Sequence, residues 1–278
     1  MTTPIQRTAV LVSLKIDMPD KKIFGAAALA DITRTANAVR ATFRARTLPW
    51  DVGCWNFVNL AQLEALEAAI EDKRTAFQEA VGNFVASYDS ITDGLKAAAG
   101  DPAGSEFPEM MDVLLGCSVV LYVRPVPCAV DFETYPIPQD YKGKLAQELT
   151  AEFEEKFKAA YAEFLNRAYE VADIIFTACT TEDKKIYASW IKNAVLIEGL
   201  MPEIPGVDDP ACGSHAAAIR VSLRERIGGI NLRSLRKDSA ARASLAGVAL
   251  DICNRVKAIR KGETHPPEPK FEGDAPQE

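Results

Sequence analysis

Lys144–Cys179 reads KLAQELTAEFEEKFKAAYAEFLNRAYEVADIIFTAC, and Leu60–Ala99 reads LAQLEALEAAIEDKRTAFQEAVGNFVASYDSITDGLKAAA. In the first stretch, Leu145, Leu149, Phe153, Phe157, Ala160, Phe164, Ala168, Val171 and Ile175 recur at steps of three or four. In the second, Leu60, Leu63, Leu66, Ile70, Phe77, Val81, Phe84, Tyr88, Ile91 and Leu95 do the same, with one seven-residue step across Arg74. That spacing holds the apolar side chains on one stripe of a helix. At ~1.5 Å per residue each stretch reaches roughly 50–60 Å. Such lengths belong to coiled-coil-like hairpins or bundles. The expectation is two antiparallel rods packed stripe to stripe as core; the alternative gives part of one stripe to a seam with another molecule.

The segments around the rods are shorter. In Ala9–Asp17, Val10, Val12, Leu14 and Ile16 alternate with Ser13, Lys15 and Asp17, the period of a strand. A helix is expected over 26–45, with Leu29, Ile32, Ala36, Val39 and Phe43 on one face. Leu48 to Phe57 reads as a loop whose Trp50, Trp55 and Phe57 plug the junction to the first rod. Asn59 and Gln62 have the spacing of a capping box. Gly100–Pro108 reads as a linker. Ser118–Arg124 reads as a strand apolar on both faces, hence well buried. Four prolines between Pro125 and Pro138 force an irregular stretch. Beyond the second rod, Thr180-Thr181 is a cap pair for a helix through Ile186, Trp190, Ala194 and Ile197. Asp209-Pro210 opens a helix ending near Gly228-Gly229, and a last helix spans Ser239–Lys261. The proline-rich, acidic stretch from Glu263 is expected to be disordered.

These elements predict a predominantly helical α+β protein, with a small sheet at one end of long rods. Pairing the two strands joins both halves, so residues 1–261 are read as one composite domain (1–104 and 105–261), followed by the 262–278 tail. Of the 278 residues, 48% are hydrophobic and 26% charged, ordinary for a soluble fold. No run reaches the ~18 apolar residues a membrane span requires, and Met1–Arg7 lacks a signal-peptide layout; a cytoplasmic protein is expected. Cys54, Cys117, Cys128, Cys179, Cys212 and Cys253 form no Cys-x-x-Cys pair, and there are two histidines. That argues against a zinc site and for small buried hydrophobes.

The net charge of −7 conceals a partition. Residues 1–50 carry +5 and residues 51–218 carry −16. Residues 219–261 hold eleven Lys and Arg against three Asp and Glu, a net +8, and the tail holds −4. The basic segment contributes Arg220, Arg224, Arg226, Arg233, Arg236, Lys237, Arg242, Arg255, Lys257, Arg260 and Lys261. Three uses compete: lying against the acidic rods of its own chain, docking an acidic protein, or meeting nucleic-acid phosphates. The acidic tail folding back over the patch is a further expectation. An acidic pI and the lack of a nucleic-acid motif weigh against phosphates.

No catalytic constellation emerges. Ser214 and His215 are adjacent, so their side chains diverge. His265 lies in the tail. Asp131 and Glu133 fit solvated loop acids, Asp208 and Asp209 fit helix capping, and Gly228-Gly229 fits a helix stop. No catalytic residue, metal or cofactor is predicted.

The strand Val10–Ile16, then Leu48-Pro49-Trp50 and the start of the first rod, form the first of three stretches with a family likeness. The others are Arg74-Thr75-Ala76-Phe77 through Phe84 to Tyr88, and Leu232-Arg233-Ser234-Leu235-Arg236 with its following helix. In this order of features the chain resembles a bacterial and phage family known only as a domain of unknown function. Genes of that family often neighbour AAA+ ATPases of the MoxR/CobS type and von Willebrand-type metal-binding proteins. The resemblance implies a phage or mobile-element adaptor or scaffold for a partner such as an AAA+ ATPase, and supplies no catalytic residues. A nucleic-acid-binding accessory protein using the basic helices is the alternative.

Overall fold

The computed structural model describes residues 8–50, 55–99, 107–127, 136, 138–181, 184–201, 217–235 and 238–262. These are predominantly helical, with one four-stranded antiparallel sheet. The chain divides into two compact units, residues 1–160 and 161–278. The division falls inside a single helix of 42 residues, Gln139–Thr180.

In the first unit the strands are β1 (Ala9–Asp17), β2 (Leu48–Pro49), β3 (Asn56–Asn59) and β4 (Ser118–Pro125). Their order is β2-β3-β1-β4. The expected pairing of the first and last strands holds along their length, from Val10 opposite Pro125 to Asp17 opposite Ser118. The helices are α1 (Lys21–Ala28), α2 (Ala30–Arg46), α3 (Leu63–Ala86), α4 (Tyr88–Ala99) and α5 (Met110–Gly116), followed by the Gln139–Thr180 helix, α6. Asp20 caps α1 through Lys22 N–H at 2.8 Å. The helix expected over 26–45 thus begins earlier, kinks at Gly25, whose φ of 76° glycine tolerates, and is interrupted again at Leu29.

Strand alternation sends neighbouring residues to opposite faces, and each face has its own partner. Val12, Val58 and Val119 join Ile32, Ala36, Val39 and Phe43 of α2 and Leu66, Ile70, Phe77, Val81 and Phe84 of α3 in one core. On the other face Leu11 sits opposite Phe57. There Trp50 stacks on Phe57 at 5.4 Å and meets Phe153 at 5.3 Å, while Phe157 meets Phe57 at 6.1 Å. The two expected rods therefore lie across the sheet from each other here and do not pack stripe to stripe. The Trp50 cluster packs on Phe153 and Phe157 of α6, not on the first rod.

Other expectations are also corrected. The first rod is two helices, broken at Ser87. Phe24, Phe84 and Tyr88 form edge-to-face pairs at 5.2–6.2 Å around the break, and Tyr88 donates its hydroxyl proton to Pro108 O. Asn59 caps a single 3-10 turn, Leu60–Gln62, through Ala61 N–H; α3 then starts without a side-chain cap at Gln62. β4 is an edge strand: Val119 is buried, but Tyr122 and Val123 are exposed.

In the second unit, residues 161–180 of α6 join α7 (Ala188–Glu198), a π-helix (Ser222–Ile227) that continues helical residues 217–221, α8 (Leu232–Leu235) and α9 (Ser239–Arg260). Asp238 caps α9, accepting from Ala240 N–H at 2.8 Å and Ala241 N–H at 3.2 Å. The true partner of the α6 stripe is α9, which runs antiparallel to it: Arg242 reaches Ala178, Cys253 lies against Tyr169, and Arg260 bonds Asn166. Fully buried Ala168, Ala172, Ala178 and Ala249 line these helices. Thr180 and Thr181 do not cap α7; their hydroxyls donate back to Phe176 O and Thr177 O. The Asp209-Pro210 helix start, the Pro127–Pro138 acids Asp131 and Glu133, Ser214, His215 and the tail lie outside the described residues.

Candidate functional site: the arginine face of the second unit

Most of the expected basic residues are already engaged within the fold. The Arg242 guanidinium donates to the carbonyls of Ala178 at 2.7 Å, Lys184 at 3.1 Å and Thr181 at 3.4 Å. It closes the carbonyl end of α6, where backbone acceptors have no helical partner and the dipole favours a cation. Arg255 pairs with Asp251 at 2.8 Å, one turn back on its own helix. Lys257 and Arg260 lie over the Tyr169 ring at 5.6 and 5.4 Å. Arg220 and Arg224 converge on Glu198 at 3.6 and 3.7 Å, with the Glu198 side chain 13% and the Arg220 side chain 15% exposed. Arg224 is 51% exposed and also faces Glu225. The basic segment thus serves first as internal counter-charge and cap.

Arg226 and Arg233 stand apart. Both are exposed, and among the described residues neither guanidinium makes a hydrogen bond or an ion pair. Arg233 is held by its backbone, whose N–H donates to Asn231 Oδ1 at 2.9 Å. Arg236 and Lys237 lie outside the described residues.

The π-helix places Arg226. Its wider turn closes with Gly228 N–H donating to Leu223 O at 3.0 Å, five residues back. Ser222, Leu223 and Ile227 point inward, and Arg224, Glu225 and Arg226 point outward. Gly228 is needed at the exit: a Cβ there would sit 2.4 Å from Arg224 O and 2.7 Å from Val195 Cγ2. Beside this exit is a cavity of about 410 Å³. Ile230, Leu235, Leu245 and Val248 supply apolar walls, and Arg226, Asn231 and Ser244 supply polar groups. The size falls within the ~300–1,000 Å³ of ligand pockets.

Among the described residues no carboxylate, imidazole or thiol lines this cavity. Among the described residues no three His, Cys, Asp or Glu side chains gather as a metal-binding group. Burial pushes the Cys253 thiol up to about 11, with Asp173 adding to the effect, and the Cys117 thiol up to about 11, with Asp17 adding. Such thiols are poor nucleophiles. No helix of the described residues is long and apolar enough to cross a membrane.

Sequence reasoning passed over a second surface, on α5 of the first unit. Only Val113 of that helix is buried. Met110, Met111, Leu114 and Leu115 share the outward face, with Met111 54% and Leu115 75% exposed. The signal was present as paired apolar residues four apart, but a buried face gives the same pattern. No family model matches the chain, and no curated protein and no solved structure matches it, so function is argued from these two surfaces.

Proposed function

We propose that this chain is a non-enzymatic interaction protein, an adaptor or scaffold whose α5 docks a protein partner. The exposed Met110, Met111, Leu114 and Leu115 carry the reading. A helix that turns four large apolar side chains to solvent and one to the core is built to be covered, and methionine adapts to varied partner surfaces. No Lys or Arg occurs between Ala97 and Val123, whereas Glu109 and Asp112 border the patch. A partner with an apolar segment edged by basic residues fits it. The family resemblance favours a phage or mobile-element setting and an AAA+ ATPase as that partner.

The test is a native pull-down with wild-type chain and with Met111→Asp/Leu115→Asp, each with and without nuclease. Both sites are exposed, so the variant is expected to fold. A nuclease-resistant protein partner retained by wild type and lost by the variant supports the reading. A monomer that retains nothing, or a partner indifferent to the two substitutions, removes it.

A nucleic-acid accessory role has one observation in its favour, the uncommitted guanidinium groups of Arg226 and Arg233. It requires affinity that falls steeply with salt and is lost on Arg226→Glu/Arg233→Glu. Arg242 and Arg255 are engaged inside the unit and are not open to follow a phosphate backbone.

A further inference from the structure

We infer that the cavity between the π-helix exit, α8 and α9 is the docking site for the chain's own residues 263–278, with Phe271 as the anchor. This inference does not depend on the α5 reading.

Four observations converge. The cavity has apolar walls and a cationic rim: Ile230, Leu235, Leu245 and Val248 within, Arg226 at the edge and Arg233 exposed close by in sequence. Those two guanidinium groups are unengaged among the described residues, whereas the neighbouring Arg220 and Arg224 share Glu198. Residues 263–278 lie outside the described residues, and their sequence has the complementary chemistry. They carry five acids against one lysine, and Phe271 is their one large apolar side chain, with Glu268, Glu272 and Asp274 around it.

Reach is the fourth. Val248 lies 13 residues before Lys261, about 20 Å along α9. The nine residues 263–271 span up to about 30 Å when extended. That length is enough to reach the cavity mouth from the end of α9. Pro266, Pro267 and Pro269 favour the extended backbone this path uses.

The test places a photo-reactive trifluoromethyl-diazirinyl phenylalanine at position 271 of the full-length chain. After irradiation, cross-links are mapped by mass spectrometry at two protein concentrations tenfold apart. The expected result is an intramolecular adduct on Ile230, Leu235, Leu245 or Val248, with a yield independent of concentration. Arg226→Glu/Arg233→Glu in the same chain should lower that yield at least fivefold, as should raising salt from about 0.05 to 0.5 M. Adducts joining two chains, adducts elsewhere, capture by solvent alone, or a yield indifferent to both charge reversal and salt would each overturn the inference.

Discussion

The two ends of α6 are held by opposite means. Around Phe153 and Phe157 the helix meets the sheet, and large rings fill the interval against Trp50 and Phe57. From Tyr161 it meets another helix, and alanines let the backbones approach: Ala168, Ala172 and Ala178 are fully buried beside α9, whose own Ala249 is equally buried. One amphipathic stripe thus serves two packing modes, and side-chain size along it records the change. In the first unit aromatic contacts hold α6. The second adds polar closures, with Arg242 on the α6 carbonyls and Asp238 on the α9 amides.

Substitutions can break that contrast. Phe57→Ala should have the largest effect, about 3–5 kcal/mol, because it empties the centre of the ring cluster. Regional hydrogen exchange should show β1, β3 and the turns of α6 around Phe153 and Phe157 losing protection; equal loss throughout α9 would erase the distinction. Arg242→Met keeps the aliphatic stem but leaves the carbonyls of Ala178 and Lys184 without their cation. About 2 kcal/mol of stability should go, read as faster exchange in the last turn of α6 and a lower urea midpoint. Asp238→Ala removes the α9 cap and should cost about 1 kcal/mol, confined to the first turn of α9.

The smallest expected effect concerns pH. Burial holds the Cys117 and Cys253 thiols at about 11, whereas an unfolded thiol titrates near about 8.5. Between those values the unfolded chain sheds protons that the folded chain keeps. Stability from these groups therefore falls as pH rises through that window. Cys253→Ala should show a shallower drop in urea midpoint from pH 8 to pH 10 than wild type. An unchanged slope would mean the buried thiol is not felt.

Much of the architecture was legible before any coordinates. The alternation in Ala9–Asp17, the β1–β4 pairing and the extents of α6 and α9 follow from periodicity and turn residues. What escaped shares one cause, since periodicity reports that a face is apolar and not what covers it. The stripe of α3 met α2 and the sheet, the stripe of α6 met rings and then α9, and the apolar face of α5 was left outside. The same limit hid the fate of the charges: the spelling of Arg242, Arg226 and Arg233 does not distinguish a helix cap from an open cation. The π-helix was hidden too, because Ile219, Leu223 and Ile227 keep an α-helical spacing, and the close approach of Gly228 to Val195 is a long-range contact.

The sequence by itself determined the class of elements, their approximate ends and the segregation of charge, because local backbone preference and side-chain period act over a few residues. The tertiary structure decided which face meets which, where the first rod breaks, and that, among the described residues, Arg226 stays uncommitted at the edge of a cavity. Those outcomes depend on contacts between residues far apart in the chain, such as Arg242 with Ala178, whose geometry exists only once the helices have packed.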